Sequence, residues 1–153
     1  MLLDSLRSVK RPLQVLAMCG KNEDLRSKLE RQQDPSSPLS VIPVGYTRDM
    51  DEYMSASDLL VGKPGGLTSC EALAKGLVFV IVNPIPGQEE RNSDHLLEQG
   101  VAIRSNDPIT LGYKIEKLIA DPDRMITMRS NALKFARPNA AMDIVDTVAG
   151  STI

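Results

Sequence analysis

The stretch Val61-Gly62-Lys63-Pro64-Gly65-Gly66-Leu67-Thr68-Ser69-Cys70-Glu71 decides how this chain is read. A short apolar run, Asp58-Leu59-Leu60-Val61, enters a turn of proline and glycines. A compact helix from about Thr68 to Lys75 follows and is stopped by Gly76. Glycines let a ligand approach the backbone, and a helix N-terminus offers free N–H groups and a positive dipole. A diphosphate is the natural guest. The stretch is neither a Walker loop nor a G-x-G-x-x-G fingerprint. A blander reading stays open beside this one. Pro-Gly-Gly is a common turn, and Thr68 with Glu71 has the spacing of a capping box. The two readings conflict only at Glu71, whose carboxylate is less free for a ligand if it folds back on the cap.

Outward from this unit, short apolar runs alternate with helical periodicity. Upstream, Leu13 to Cys19 reads as a buried strand ending at Gly20, and Glu23 to Gln33 as a helix with Leu25 and Leu29 on one stripe. Asp34-Pro35-Ser36-Ser37-Pro38 is a loop, Leu39 to Val44 a second strand closing at Gly45, and Asp49 to Ala56 a short helix. Downstream, Val78-Phe79-Val80-Ile81-Val82 is the clearest strand, a continuous run of the kind parallel sheets bury on both faces. A helix from Gln88 to Gln99 ends at Gly100, and Val101 to Arg104 is the last strand. Asp107-Pro108 and Asp121-Pro122 open two further helices, and Pro138 to Val148 forms a final amphipathic one. This alternation predicts an α/β fold, a Rossmann-like three-layer sandwich with a mainly parallel sheet. Ligands of such sheets bind beyond the carboxyl ends of the strands.

Three more turns lie at such ends. Asn83-Pro84-Ile85-Pro86-Gly87 leads into Gln88, Glu89, Glu90, Arg91 and Asn92. Gln88, Glu89 and Asn92 suit sugar hydroxyls, yet a proline-rich loop before a solvated helix start also explains them. Gly45-Tyr46-Thr47 offers backbone amides to a base edge, or is plain turn chemistry. Cys19-Gly20-Lys21-Asn22 is the third. Lys21 or Lys63 is placed to reach a phosphate, although most surface lysines do nothing specific. No catalytic set is visible: His95 has no nucleophile beside it, and Glu89 and Glu90, adjacent on a helix, diverge.

Bulk properties narrow the classes. The 153 residues suffice for one domain, with 42% hydrophobic and 25% charged residues as in ordinary soluble proteins. Aromatics at 3%, no Trp and a net charge of -2 argue against nucleic-acid binding. Cys19 and Cys70 form no metal-spaced pair and read as small buried hydrophobes in a reducing, cytoplasmic setting. A single histidine excludes a His-based metal site, and no apolar run reaches membrane-spanning length.

Taken in order, Gly20-Lys21-Asn22, Ser57-Asp58, Lys63 to Thr68 through Glu71-Ala72, and Pro86-Gly87-Gln88-Glu89-Glu90-Arg91-Asn92 resemble one family. It is the C-terminal half of family 28 glycosyltransferases such as processive diacylglycerol glucosyltransferases and monogalactosyldiacylglycerol synthases. More distant is the similarity to the N-acetylglucosaminyltransferase that makes lipid II. The resemblance implies the UDP-sugar-binding half of a GT-B fold, with no metal or other cofactor required. It implies that Gly65, Gly66, Leu67 and Thr68 present amides to the diphosphate and that Glu71 holds the ribose. Gly45, Tyr46 and Thr47 would flank the uracil, while Gln88, Glu89 and Asn92 face the sugar. The implied reaction is an inverting transfer of glucose or galactose to diacylglycerol in glycolipid synthesis.

The resemblance also carries departures. Met1-Leu2-Leu3 opens a helix-like segment where the family has a strand and a Gly-rich loop. The acceptor domain, expected to carry the general base and the lipid-facing surface, has no counterpart in these residues. The expectation is therefore a donor-binding piece, inactive by itself, of a protein peripheral to the cytoplasmic membrane face. Two alternatives remain: transfer of N-acetylglucosamine from its UDP donor to a lipid-linked muramyl peptide, and a non-catalytic nucleotide-sugar-binding module.

Overall fold

The computed structural model describes residues 2–32, 34 and 36–150. The expectations for Met1, Gln33 and Pro35 lie outside them. The chain order is α1 (Leu2–Leu6), β1 (Leu13–Gly20), α2 (Glu23–Arg31), β2 (Leu39–Gly45), α3 (Met50–Ser55), β3 (Leu59–Gly62) and α4 (Gly66–Ala74). There follow β4 (Val78–Ile81), α5 (Gln88–Glu98), β5 (Ala102–Arg104), α6 (Pro108–Ile119), α7 (Pro122–Phe135) and α8 (Ala140–Gly150). All strand pairs are parallel. The α/β expectation is met.

The alternating side chains of β4 build the layers. Val78 and Val80, with Val82 just beyond, face a cluster holding Leu6 of α1, Leu111, Ile115 and Leu118 of α6, and Met128 of α7. Phe79 and Ile81 point the other way, onto Met54 of α3, Ala72 of α4, Leu96 of α5 and Ala132 of α7. Period-two alternation thus buries both faces of one strand under helices. All four residues of β4 are buried because β3 pairs along one side and β5 along the other.

The backbone pairing departs from the expectation of one sheet. Strands β3-β4-β5 form one ladder and β1-β2 a second. Leu39 belongs to the first apolar cluster, and Leu13, Val15 and Val41 pack against it, so the ladders share a core without a common hydrogen-bond network. An apolar run encodes that a strand is buried, and it leaves open which edges pair. Pro43 fits this arrangement: among the described residues β2 pairs only with β1, and an edge strand tolerates a residue without an N–H.

Local chemistry sets the helix ends. Asn22 caps α2 by accepting from the Leu25 amide at 2.9 Å. Asp107 and Asp121 do the same for α6 and α7, each followed by proline in the first turn. Helix α8 forms as expected, but buries no residue: Met142, Ile144, Val145 and Val148 all stand exposed. Cys19 is buried, whereas Cys70 is exposed, contrary to expectation. On α4 the buried positions are Ser69 and Ala72, and a residue one step from Ser69 is turned about 100° away.

Candidate functional site

Helix α4 begins at Gly66, two residues earlier than the spacing predicts. Gly65 is its N-cap, in extended conformation, and no side chain caps the helix. The capping box of Thr68 and Glu71 is therefore not formed: Thr68 is the third helical residue, inside the first turn. The Gly65 amide donates to the Lys63 carbonyl and the Ser69 amide to the Gly65 carbonyl, both at 2.9 Å. Between them, the amides of Gly66, Leu67 and Thr68 have no protein acceptor among the described residues. These are the orphan donors that make a helix start an anion site.

The two glycines contribute space rather than unusual torsion. Neither has a positive φ, and a Cβ on Gly65 would find only Thr68 Oγ1, 4.0 Å away. A Cβ on Gly66 would meet only Gln88 Nε2, at 3.6 Å. The approach to the amides is thus open, with Gln88 beside it. Glu71 lies about one turn into α4, exposed, and its carboxylate has no partner among the described residues. Lys63, also exposed, precedes the turn.

Helix α5 brings its polar residues to the same place, but binds most of them internally. Its N-cap, Gly87, has φ 107°, a backbone state that effectively requires glycine. Glu89 Oε2 accepts the Ile85 amide at 2.7 Å, closing the loop on itself. Asn92 Nδ2 donates to the Pro64 carbonyl at 2.8 Å, tying α5 to the turn before α4. Glu90 forms a two-pronged ion pair with Arg104 of β5, at 2.8 and 3.3 Å. Of the three candidate sugar residues, only Gln88 has a side chain free of protein hydrogen bonds among the described residues.

Gly45, Tyr46 and Thr47 stand at the end of β2, in the other ladder. They line an open hollow of about 440 Å³ together with Arg26 of α2 and Tyr53 of α3. Arg26 lies against the backbone of Gly45, where a Cβ would meet its Nη1 at 3.2 Å. Tyr46 is exposed, with the Lys21 ammonium 5.6 Å from its ring centre. Thr47 Oγ1 accepts from the Asp49 amide at 2.9 Å, so its hydroxyl serves the turn into α3. A tighter hollow of about 220 Å³, lined by Leu3, Arg7, Leu29 and Leu39, sits at the amino end of β2, away from these turns.

Sequence reading missed Arg26 and the Glu90–Arg104 pair. Both act across elements, and neither spacing nor composition signals such a contact. His95 is exposed and edge-on to Phe135, with no nucleophile paired to it among the described residues. Among the described residues no three His, Cys, Asp or Glu side chains form a group able to hold a metal ion.

Comparison with known proteins identifies the family and the fold. Residues 3–148 match the family model of the glycosyltransferase family 28 C-terminal domain, and the chain belongs to that family. It is similar to the processive diacylglycerol beta-glucosyltransferase of Bacillus mycoides (strain KBAB4), 35% identical over 137 residues. To the same enzyme of Bacillus cereus (strain 03BB102) it is 34% identical over 136 residues. Each alignment covers 89% of this chain and 35% of the relative, so the chain spans about a third of its curated relatives. Among solved structures it resembles Acinetobacter baumannii MurG, with TM-score 0.80 and 23% identity, over 95% of this chain and 44% of that one. It also resembles Anabaena HepE, solved in complex with UDP and glucose, with TM-score 0.66 and 20% identity, over 97% of this chain and 44% of that one. The fold is that of the C-terminal half of the GT-B glycosyltransferases.

Proposed function

We propose that this domain binds the UDP-sugar donor of an inverting hexosyltransferase that glycosylates diacylglycerol in glycolipid synthesis. The observation that carries the reading is the uncapped start of α4, where the Gly66, Leu67 and Thr68 amides lie beside Gln88 with no protein acceptor among the described residues. The relatives named processive diacylglycerol beta-glucosyltransferases, at 34–35% identity, support diacylglycerol as acceptor and glucose as the sugar. That HepE was solved with UDP and glucose supports the same class of donor.

On this reading the diphosphate sits on the three amides, and the dipole of α4 stabilises it by an amount on the order of 0.3–1 kcal/mol for each charge. Glu71 accepts the ribose hydroxyls, freed for that role because it makes no cap. Gln88 hydrogen-bonds the sugar, and the Gly45-Tyr46-Thr47 turn flanks the uracil. The acceptor hydroxyl, giving its proton to the general base, bonds the anomeric carbon as the bond to the diphosphate breaks, and the leaving UDP gains negative charge where the amides already point. Donor binding needs no metal, because the amides and Lys63 supply the positive field. The acceptor half supplies the general base and the lipid contact, at the cytoplasmic face of the membrane. Among the described residues no helix is long and apolar enough to cross a membrane.

Calorimetric titration with UDP, UDP-glucose and UDP-galactose tests the reading. Wild type binds UDP, and Glu71→Ala weakens it about tenfold or more, the loss expected for hydrogen bonds to a charged group. Equal affinity in the two proteins contradicts the ribose assignment.

A further inference from the structure

Resting on the donor-site reading, the geometry assigns Asn92 a positioning role: it holds the diphosphate turn rather than contacting the sugar. Its Nδ2 donates to the Pro64 carbonyl at 2.8 Å across 28 residues of sequence, in a half-buried setting. Pro64 itself is fully buried, so its ring is fixed from below and its carbonyl from α5. The same peptide carries the Gly65 amide, which donates to the Lys63 carbonyl, and after it come the three open amides of α4. The plane of the Pro64–Gly65 peptide therefore sets where those amides aim, and Asn92 sets that plane.

Helix α5 is itself pinned in the turn just before this contact. Glu90 is gripped by Arg104 of β5, and Glu89 closes on the Ile85 amide. The Asn92 bond thus transmits a fixed frame, consisting of β5 and the first turn of α5, to the turn that precedes α4. An anion site needs its donors held before the ligand arrives, since ordering them on binding would cost affinity.

Positioning and direct contact differ in what they affect. A sugar contact matters only to UDP-sugars, whereas a misaimed turn weakens UDP as well. The experiment compares wild type, Asn92→Ala and the isosteric Asn92→Asp by calorimetry with UDP and UDP-glucose, and by amide hydrogen exchange without ligand. Asn92→Asp keeps the shape but sets a carboxylate against the Pro64 carbonyl, so a merely space-filling role would survive it. Both variants are expected to bind UDP and UDP-glucose about three- to tenfold more weakly, by the same factor for each ligand. Exchange at the Gly65 and Ser69 amides is expected to speed up while that of β4 is unchanged. Unaltered UDP binding, with or without weaker UDP-glucose binding, overturns the assignment. If wild type bound neither ligand, the donor reading itself would fall. Unchanged exchange at Gly65 and Ser69 would then still refute the clamp. Should Asn92→Ala fail to fold, Asn92→Asp carries the comparison.

Discussion

At Gly66 the needs of the fold and of the ligand separate. Its backbone is helical, and the space where a Cβ would stand holds only the end of a flexible Gln88 side chain, at 3.6 Å. The fold therefore accepts alanine, and Gly→Ala in a helix is stabilising by up to about 0.5–1 kcal/mol. The same methyl would stand over the first open amide. Gly66→Ala is predicted to melt no lower than wild type while binding UDP at least about tenfold more weakly. Thermal unfolding and calorimetry on one preparation check both halves. Much of the site is legible at this scale: Gly65, Gly66, Gln88 and Asn92 do converge. Their roles are less so. Spacing alone allowed a Thr68–Glu71 cap, but a helix that starts at Gly66 leaves Thr68 too far inside to cap anything. Glu89 and Asn92 read as sugar ligands because their side chains are polar, while their bonds to Ile85 and to Pro64 depend on how two loops meet.

Among the elements, β4 was the most legible, since a run of β-branched and aromatic residues buried on both faces has few other places to go. The contact between α1 and α6 lay beyond sequence reading. Gly112 sits in mid-helix on α6, where glycine is unfavourable, and nothing in the pattern explains it. The structure does: an added Cβ would run into the Ser5 carbonyl oxygen and Ser8 Oγ. Gly112→Ala is accordingly predicted to destabilise the domain by about 1–3 kcal/mol, the range for overpacking, despite the better helix propensity. Urea denaturation measures it, and an unchanged midpoint would mean α1 does not pack there. Helix α8 shows the converse limit. Its apolar spacing is correctly helical, yet amphipathicity says only that a face seeks cover, and here that face is exposed.

For the molecule as a whole, three layers and parallel strands follow from the alternation of strand and helix, but the division into two ladders does not. The cluster on the Val78 and Val80 face spans both ladders, so they are predicted to unfold together with the cluster on the opposite face of β4. Phe79, 1% exposed at the centre of β4, is the test. Phe79→Ala should cost about 3–5 kcal/mol, a large share of the roughly 5–15 kcal/mol that holds a domain folded. Hydrogen exchange of β1 and β4 should rise together in that variant, whereas a rise confined to β4 would mean two independent units. The central claim, that α4 offers its first amides to a diphosphate, is tested most directly by titrating the 15N-labelled chain with UDP and following the backbone amides. The largest shifts should fall on Gly66, Leu67 and Thr68, with a second group at Tyr46 and Thr47. Saturable shifts that leave those three amides unmoved, or that centre on the hollow beside Leu29 and Leu39, would contradict it.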